Sequence, residues 1–269
     1  MKLCTGVPLT HGPFLVTQIR HGDRFELSNG VPFQVEPASG ATGAPLLLGS
    51  LIIATDPLVE QAGVDVGYAI TPNTMRAPDI SVGHVPDRDG WVPGVPPLAI
   101  EYAASGQDEH ELTRKIADLL GHGTQAVWVV RLSTPRHVEV WTPGNPMQVA
   151  EVGDELTAPG ILARPVPVAA LFDRRIARDT ALGNLLAGLG YPSLDAVREE
   201  GRDEGRDQGM DLGMRKAIRM LASARFGAAA TALDADLDAA PAPALERAVW
   251  LAANGGTLEI LAQALRGLA

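Results

Sequence analysis

Two carboxylates and a lysine have the types and the spacing of a phosphoryl-transfer site. Asp79 stands at the head of a short apolar run, Glu101 interrupts the continuous apolar run 98–104, and Lys115 follows Glu101 by fourteen residues. A carboxylate inside a buried strand is costly unless a cation, a metal or several hydrogen bonds lie beside it. Carboxylates hold divalent cations, and a lysine beside them can orient or deprotonate water. These residues indicate a site that holds a cation over a phosphodiester.

A strand, a helix and a second strand must position Glu101 and Lys115. The run 98–104 is apolar apart from Glu101, as in strands that are covered on both faces. The helix that carries Lys115 starts after the residues Gly106-Gln107-Asp108, and the apolar run 126–132 predicts the next strand. The order predicts a β-α-β unit with the lysine on its helix.

A hairpin is predicted upstream of this unit. The β-prone runs 25–28 and 31–35 flank Asn29-Gly30, whose residues tolerate positive φ, so the strand pair carries Glu26 near its turn. Residues 13–20 fit either a strand or a short helix. The other predicted elements before residue 171 are a buried helix at 44–62 and strands at 65–70, 79–83, 137–142 and 147–152.

From Leu171 onward the pattern becomes helical. The predicted helices span 179–189, 193–226, 242–253 and 257–268, with Ser193 as an N-cap and Gly227 as a terminator. We therefore predict an α/β domain at residues 1–178, with a mixed sheet and helices on its faces, followed by an all-α domain at 179–269.

Several of these runs are shared with a known family. They are Arg76-Ala-Pro-Asp-Ile-Ser-Val82, Ile100-Glu-Tyr-Ala-Ala-Ser105, Arg114-Lys-Ile-Ala-Asp-Leu-Leu-Gly-His-Gly123, 126–130 and 137–141, with Phe25-Glu-Leu-Ser-Asn-Gly30 upstream and 153–172 downstream. The set resembles the Uma-two family of restriction-endonuclease-like proteins, a branch of the PD-(D/E)xK nuclease superfamily.

The resemblance implies a restriction-endonuclease-like fold and hydrolysis of DNA with Mg²⁺ or Mn²⁺. By analogy with the family, Asp79 and Glu101 would bind the metal, and the backbone carbonyl of Tyr102 would add another oxygen. Lys115 would act on the water, and Glu26 would be an accessory acid. In the simplest superfamily motif the lysine lies two residues after the glutamate, where this chain has Ala103. The Uma-two pattern instead places it on the following helix.

Four arginines are possible phosphate contacts. Solvated surface charges are the alternative for each of them, and the sequence does not decide between DNA and RNA. These residues are Arg20, Arg24, Arg76 and Arg114.

The composition restricts the function further. The formal net charge is −10, and residues 1–178 contain 13 Lys and Arg against 19 Asp and Glu, whereas nucleic-acid binding favours a basic surface. An inactive nuclease fold that serves as a binding or regulatory module of a mobile-element or defence system is therefore an alternative. A single cysteine and six histidines without metal spacing favour oxygen ligands. We expect a cytoplasmic protein without membrane spans.

A glycine repeat marks the long helix predicted at 193–226. Glycines recur every four residues at positions 201, 205, 209 and 213, which gives a slowly winding groove in which a second helix can lie. Close packing between two copies of the chain and a frayed, solvated helix both fit this pattern. The segment resembles the tails of Rpn-type recombination-promoting nucleases and related transposase-like proteins. A third functional reading is therefore an oligomerisation or partner-docking protein.

Overall fold

The computed structural model describes residues 12–20, 22–35, 37–104, 106 and 108–267. It divides the chain into two compact units, Met1–Pro192 and Ser193–Ala269. The only cysteine, two of the six histidines and Ser105 lie outside the described residues. The domain boundary that we predicted after residue 178 falls inside the helix Arg174–Gly188, which belongs to the first unit. Ala177 and Ala181 of this helix are buried.

In its described residues, the first unit is built from short strands and three α-helices. The strands are β1 (Phe25–Ser28), β2 (Val31–Gln34), β3 (Ala62–Val64), β4 (Tyr68–Thr71), β5 (Thr74–Arg76), β6 (Ile80–Val82), β7 (Val92–Pro93), β8 (Leu98–Ala103), β9 (Ala126–Arg131), β10 (His137–Trp141), β11 (Gln148–Glu151), β12 (Glu155–Leu156) and β13 (Val166–Pro167). The helices are α1 (Gly40–Thr55), α2 (Glu109–Gly121) and α3 (Arg174–Gly188), with 3₁₀ turns at Val16–Gln18 and Val168–Leu171.

A six-stranded mixed sheet forms the centre of the first unit. Its order is β11-β10-β9-β8-β6-β3, in which β8 and β9 run parallel and the other neighbours run antiparallel. Helix α2 connects the two parallel strands, as predicted for the β-α-β unit. Ile100, Tyr102 and Trp128 face the core that includes α1, whereas Ala99 and Val127 face α2. The predicted fold class, a mixed sheet flanked by helices, is confirmed.

A second sheet carries the predicted hairpin. Its order is β2-β1-β5-β4-β7, and β1 pairs with β2 across a two-residue turn. Asn29 and Gly30 have φ of 50° and 78°, the left-handed values that such a turn requires. The hairpin prediction is therefore confirmed. Within the ambiguous segment 13–20, residues Val16–Gln18 form a 3₁₀ helix.

Helix α1 is displaced from the predicted span 44–62. It starts at Gly40 and ends at Thr55, because the following Pro57 disfavours a helical conformation of Asp56. The Asp56 carboxylate instead accepts hydrogen bonds from the backbone N–H groups of Leu58 and Ala163. Because α1 ends at Thr55, residues Ala62–Val64 can form β3, the edge strand of the six-stranded sheet.

Gly49 of α1 is required for close packing against the sheet. A Cβ atom at this position would overlap the hydroxyl group of Tyr102. Gly49→Ala should lower the free energy of unfolding by about 1–3 kcal/mol, as overpacking in a core usually does. Gly43→Ala in the same helix meets open space and should raise it by up to about 1 kcal/mol. Urea denaturation of both variants checks this, and equal effects would refute the packing argument.

The second unit is entirely helical in its described residues. It contains α4 (Leu194–Phe226), α5 (Asp234–Ala239), α6 (Ala242–Ala253) and α7 (Leu258–Leu265), with a 3₁₀ turn at Gly227–Leu233. Ser193 caps α4 through the N–H of Ala196, and Gly227, with φ of 57°, follows its last residue. The long helix and its ends are as predicted. The 3₁₀ turn and α5 were not predicted.

Candidate active site

Strand pairing brings Asp79 beside Glu101. The β6–β8 register pairs Ile80 with Ile100, so Asp79, one residue before β6, lies across from Glu101. The Asp79 Oδ2 atom accepts a hydrogen bond of 2.6 Å from the backbone N–H of Tyr102. This contact uses the N–H of Tyr102, whereas the family analogy uses its carbonyl as a metal ligand.

Helix α2 delivers Lys115 to the same place. Asp108 caps this helix by accepting hydrogen bonds from two backbone N–H groups, and the apolar face of the helix packs on the sheet. Lys115 Nζ lies 2.9 Å from Glu101 Oε1 and 3.0 Å from Glu101 Oε2. It also donates to the carbonyl oxygen of Ala77 at 2.7 Å. Lysine and glutamate thus form a buried ion pair.

The hairpin adds a second acid to this ion pair. Glu26 Oε1 lies 3.1 Å from Lys115 Nζ, and its other oxygen lies 3.4 Å from Arg76 Nη1. Arg76 also donates through Nε to Asp118 Oδ2 at 2.8 Å, and Ser28 Oγ donates to the same oxygen at 3.0 Å. Two buried cations therefore hold Glu26 in place, although its strand belongs to the other sheet.

Burial dominates the electrostatics of the site. Loss of hydration raises the pKa of Glu101 to about 8, against the opposing effect of Lys115. Loss of hydration also raises the pKa of Asp79, and Lys115 and the N–H of Tyr102 partly offset it. Burial alone would lower the pKa of Lys115, but Glu101, Glu26 and Asp79 together raise it above its usual value. Lys115 therefore keeps its proton, which favours orienting water over deprotonating it.

A cleft of about 380 Å³ opens onto this cluster. Its lining includes Asp79, Lys115 and Glu26, which makes them reachable by a ligand. In the part of the chain that the structure describes, no three Asp, Glu, His or Cys side chains are arranged to hold a metal ion as they stand. The oxygen donors of Asp79 and Glu101 nevertheless fit the chemistry of Mg²⁺ or Mn²⁺.

Residues 14–168 match the model of one protein family, Uma2, whose description is "Putative restriction endonuclease". This match spans more than half of the chain. The chain belongs to the Uma2 family. It is also similar to a solved structure from Anabaena variabilis ATCC 29413, whose title describes "a putative nuclease belonging to DUF820". The TM-score is 0.52 with 20% identity over 60% of this chain and 98% of that chain. A comparison with curated proteins gave no match.

The Uma2 segment contains Glu26, Asp79, Glu101 and Lys115. The similar structure, at this low identity, shows a shared fold and confirms the restriction-endonuclease-like prediction. Since the family match ends at residue 168, the resemblance of the glycine-rich tail to Rpn-type proteins stays a prediction. Among the described residues, no helix is long and apolar enough to cross a membrane.

The four arginines differ in their surroundings. Arg24 is exposed and lines the cleft, and Arg20 is exposed. Arg114 is partly exposed, pairs with Glu111 and lies over the ring of Phe33. Arg76 is only 2% exposed and its charge is taken up by carboxylates, which corrects our expectation that it contacts phosphate. It holds Glu26 instead.

Arg76 should be essential to the stability of the hairpin side of the site. Arg76→Met leaves Glu26 and Asp118 without this partner, and breaking a buried ion pair typically costs about 3–5 kcal/mol. Arg114→Met is the matched control, because Arg114 lies over the same Phe33 ring but is 39% exposed in its side chain. Its loss should cost less than about 1 kcal/mol. Urea denaturation measures both, and equal losses would contradict the role of Arg76.

Our sequence analysis missed two acids of this region. Asp118 lies one helical turn after Lys115 and accepts a hydrogen bond from Arg76. The i, i+3 spacing could have indicated that Asp118 lies on the same face of α2 as Lys115, but not that it contacts Arg76. Asp65 lines the cleft together with Asp79, and its backbone N–H points to the Asp79 carbonyl at 3.4 Å. The sequence predicts Asp65 only as the first residue of the strand at 65–70, because its neighbour in space, Asp79, is fourteen residues away.

Proposed function

We propose that this protein is an endonuclease that hydrolyses DNA phosphodiester bonds with Mg²⁺ or Mn²⁺. The observation that carries the proposal is the pairing of Lys115 Nζ with the buried Glu101 at 2.9 Å, in a cleft whose wall contains Lys115 and Asp79. Membership of the Uma2 family supports nuclease chemistry. DNA as the substrate, the metal and the cytoplasmic location rest on our inference from the sequence.

Each residue has a proposed part in this reaction. Asp79 and Glu101 would hold the cation, and the carbonyl of Tyr102 would offer a further oxygen. When bound, the cation would supply activation of water and neutralisation of charge on the phosphoryl group. Lys115, which stays protonated, orients the water and donates to the phosphate. Glu26, held by two cations, fixes the position of Lys115 and serves as the accessory acid.

Arg24 is the proposed contact to the phosphate backbone. It is exposed in the wall of the cleft that contains Asp79 and Lys115, and a guanidinium group binds phosphate with two donors. Arg20 and Arg114 stay as proposed contacts further from the reaction. A local positive charge of this kind offsets part of the acidic balance of residues 1–178.

Nicking of supercoiled plasmid tests the proposal. The native protein with Mg²⁺ or Mn²⁺ should convert the plasmid to the open circular form, and a chelator should prevent this. Asp79→Asn should reduce the rate by at least about 100-fold, because removal of a catalytic group costs this much or more. Asp89→Asn, an exposed loop acid, is the control and should cleave normally. A labelled RNA of matched sequence in the same assay decides between the two nucleic acids.

The acidic charge favours a second candidate, a nuclease fold that binds without cutting. The net charge of −10 opposes tight binding of a polyanion. Absence of nicking with either metal, together with a folded protein by circular dichroism, would support this regulatory or binding module. Equal nicking by native protein and Asp79→Asn would overturn the proposed site.

We also propose that α4 forms a homodimer through its glycine stripe. The four glycines are exposed and have open space around them, although each costs about 1 kcal/mol relative to alanine in a free helix. Arginines follow the glycines at positions 202 and 206, and glutamates precede them at 200 and 204. In a parallel pair of identical helices that contact each other through the glycines, the arginines of one helix would face the glutamates of the other, as e and g residues do in coiled coils. The opposite charges would then attract each other.

Light scattering tests this association. The native chain should have twice the monomer mass, and a Gly205→Leu, Gly209→Leu double variant should be a monomer because its side chains fill the seam. An Asp203→Leu, Asp207→Leu variant carries the same residues on the opposite face of α4 and should stay dimeric. A monomeric native chain would overturn the proposal and leave the helix solvated.

A further inference from the structure

Apolar side chains line the cleft beside the charged groups of the proposed site. They are Phe25, Val35, Pro37, Met75 and Trp91. Divalent cations bind to oxygen atoms and phosphates bind to charged or polar donors, so neither of them needs an apolar wall. The wall therefore indicates that an uncharged part of the substrate enters the cleft together with a phosphate.

Trp91 is fixed in this wall. Its Nε1 atom donates a hydrogen bond of 3.2 Å to the carbonyl oxygen of Ile19. Its ring lies against Gly67, where an added Cβ atom would stand 2.5 Å from the Cε3 atom of the ring. A side chain that is already held in place loses little conformational freedom when a ligand binds to it. The half-buried indole of Trp91 is therefore a preorganised surface for a flat ring.

The second sheet places a cation and this indole on different sides of the cleft. Arg24 precedes β1, Ala77 follows β5 and Trp91 precedes β7, and all three residues line the cleft. In the strand order β2-β1-β5-β4-β7, the end of β5 lies between the ends of β1 and β7. A ligand in the cleft can therefore contact a guanidinium group on one side and an aromatic ring on the other. A nucleotide offers the matching pair, a phosphate and a flat base.

The depth and the size of the cleft limit what can enter it. The side chains of Lys115 and Glu26 are only 12% and 9% exposed, so a phosphate must enter the cleft to reach them. The volume of about 380 Å³ lies near the lower end of the range for sites that hold one small molecule, about 300–1,000 Å³. This volume suits one nucleotide but not a base pair with both of its strands.

The acidic charge also disfavours an intact duplex. Residues 1–178 contain 13 Lys and Arg against 19 Asp and Glu. Double-stranded DNA carries one negative charge per about 1.7 Å of its axis, twice the density of one strand, and its binding depends on neutralising those charges. Stacking of an unpaired base on an aromatic side chain provides affinity that does not depend on a basic surface.

We infer that the cleft takes one unpaired nucleotide of a DNA strand, whose base stacks on Trp91 and whose phosphate lies near Lys115 and Arg24. The inference rests on the proposed function of the same site and names its substrate class, DNA that is single-stranded or locally unpaired. A base can reach Trp91 only outside the duplex, because paired bases are stacked on each other. Trp91 is thus the residue that selects unpaired DNA.

Fluorescence anisotropy tests this selection on the full-length chain. A labelled 12-nucleotide DNA is titrated in chelator, as a single strand and annealed to its complement, so that no cleavage intervenes. The native protein should bind the single strand at least about 10-fold more tightly, because a base of the duplex must first be unpaired at a cost of a few kcal/mol. This comparison needs no variant.

Three variants then test the part of Trp91, after circular dichroism has shown that each is folded. Trp91→Leu should weaken single-strand binding by about 5- to 150-fold, the effect of losing one base–aromatic stack. Trp91→Phe keeps an aromatic ring and should restore most of the affinity. Trp250→Leu is the matched control, because Trp250 is 64% exposed on α6 of the second unit, and it should bind as the native protein does.

Cleavage gives an independent readout. With Mn²⁺, the single strand should be cut at least about 10-fold faster than the duplex of the same sequence, for the same cost of unpairing. Supercoiled plasmid should likewise be nicked faster than the relaxed closed circle, since negative supercoiling favours unpaired regions.

The outcomes separate this inference from the function on which it rests. Equal binding and equal cleavage of the two DNA forms would overturn the inference and leave the proposed nuclease intact. A folded Trp91→Leu that binds the single strand as tightly as the native protein would overturn the stacking on Trp91. Preference for the single strand that is lost in Trp91→Leu, without cleavage of either form, would support the inference and overturn the proposed hydrolysis.

Discussion

Replacing Lys115 by methionine is expected to slow cleavage strongly and to destabilise the first unit at neutral pH. Methionine keeps the length of the side chain but removes the charge that lies within 3.1 Å of both Glu26 and Glu101. Loss of one partner from a buried ion pair typically costs about 3–5 kcal/mol. At pH 7 the carboxylate that loses compensation is that of Glu26, because the raised pKa of Glu101 favours its protonated form. Loss of the group that orients water should slow nicking by about 10²–10⁴-fold.

Two measurements on Lys115→Met check this result. Urea denaturation at pH 7 gives the loss in free energy of unfolding, and the plasmid assay gives the rate. Lys216→Met is the matched control, because Lys216 is exposed on α4 and the substitution is the same. If the free energy of unfolding of Lys115→Met were within about 1 kcal/mol of that of the native protein, the ion pair would make no net contribution to stability, as is usual for surface ion pairs.

Replacing Glu101 by glutamine is expected to have the opposite effect on stability at high pH. Burial raises the pKa of Glu101 to about 8, from an ordinary value of 4.5, so the folded state binds this proton more tightly than the unfolded state. The stabilisation from this group is fully present below pH 4.5 and is lost as the pH rises through 8. Glutamine resembles the protonated acid and avoids the loss.

The free energy of unfolding should therefore fall less between pH 5 and pH 9 in Glu101→Gln than in the native protein. A difference of at least about 1 kcal/mol corresponds to one pKa unit. Metal-dependent nicking should nevertheless be lost, because the amide is a poor ligand for the cation.

Glu109→Gln is the control, because the pKa of Glu109 is shifted in the opposite direction to that of Glu101. Hydrogen bonds from Arg131 lower the pKa of Glu109, so its stabilisation is present above pH 4.5 and is lost as the pH falls. This variant should lose a little stability at neutral pH and show no gain at pH 9. If Glu101→Gln were less stable than the native protein at pH 9, the attraction to Lys115 would outweigh the cost of burying Glu101.

A large part of the fold could be predicted from local patterns. The hairpin followed from Asn29-Gly30, the β-α-β unit from the alternation of apolar runs and a capped helix, and the long helix from Ser193 and Gly227. Each depends on residues close in the chain. The error in the end of α1 has a local cause, Pro57, which the sequence analysis did not use. It also has a distant cause, because the Asp56 carboxylate accepts hydrogen bonds from the backbone N–H groups of Ala163 and Arg164.

The candidate site shows the same division. The types and spacing of Asp79, Glu101 and Lys115 predicted that these side chains lie together. In the structure Lys115 Nζ lies 2.9 Å from Glu101, and the β6–β8 register places Asp79 across from Glu101. The sequence did not indicate that Arg76 is buried and paired with Glu26. Nothing in the residues around an arginine distinguishes a guanidinium group that is exposed in a loop from one that belongs to a buried ion-pair network.

The sequence by itself determined the family, the fold class and the chemical types that meet in the cleft. Only the tertiary structure decided that Asp65 stands opposite Asp79 and that Glu26 shares Lys115 with Glu101. The physical reason is that strand register depends on which edges pair and on which face is buried. Spacing along the chain fixes the direction of a side chain within one strand but not its neighbour in the next.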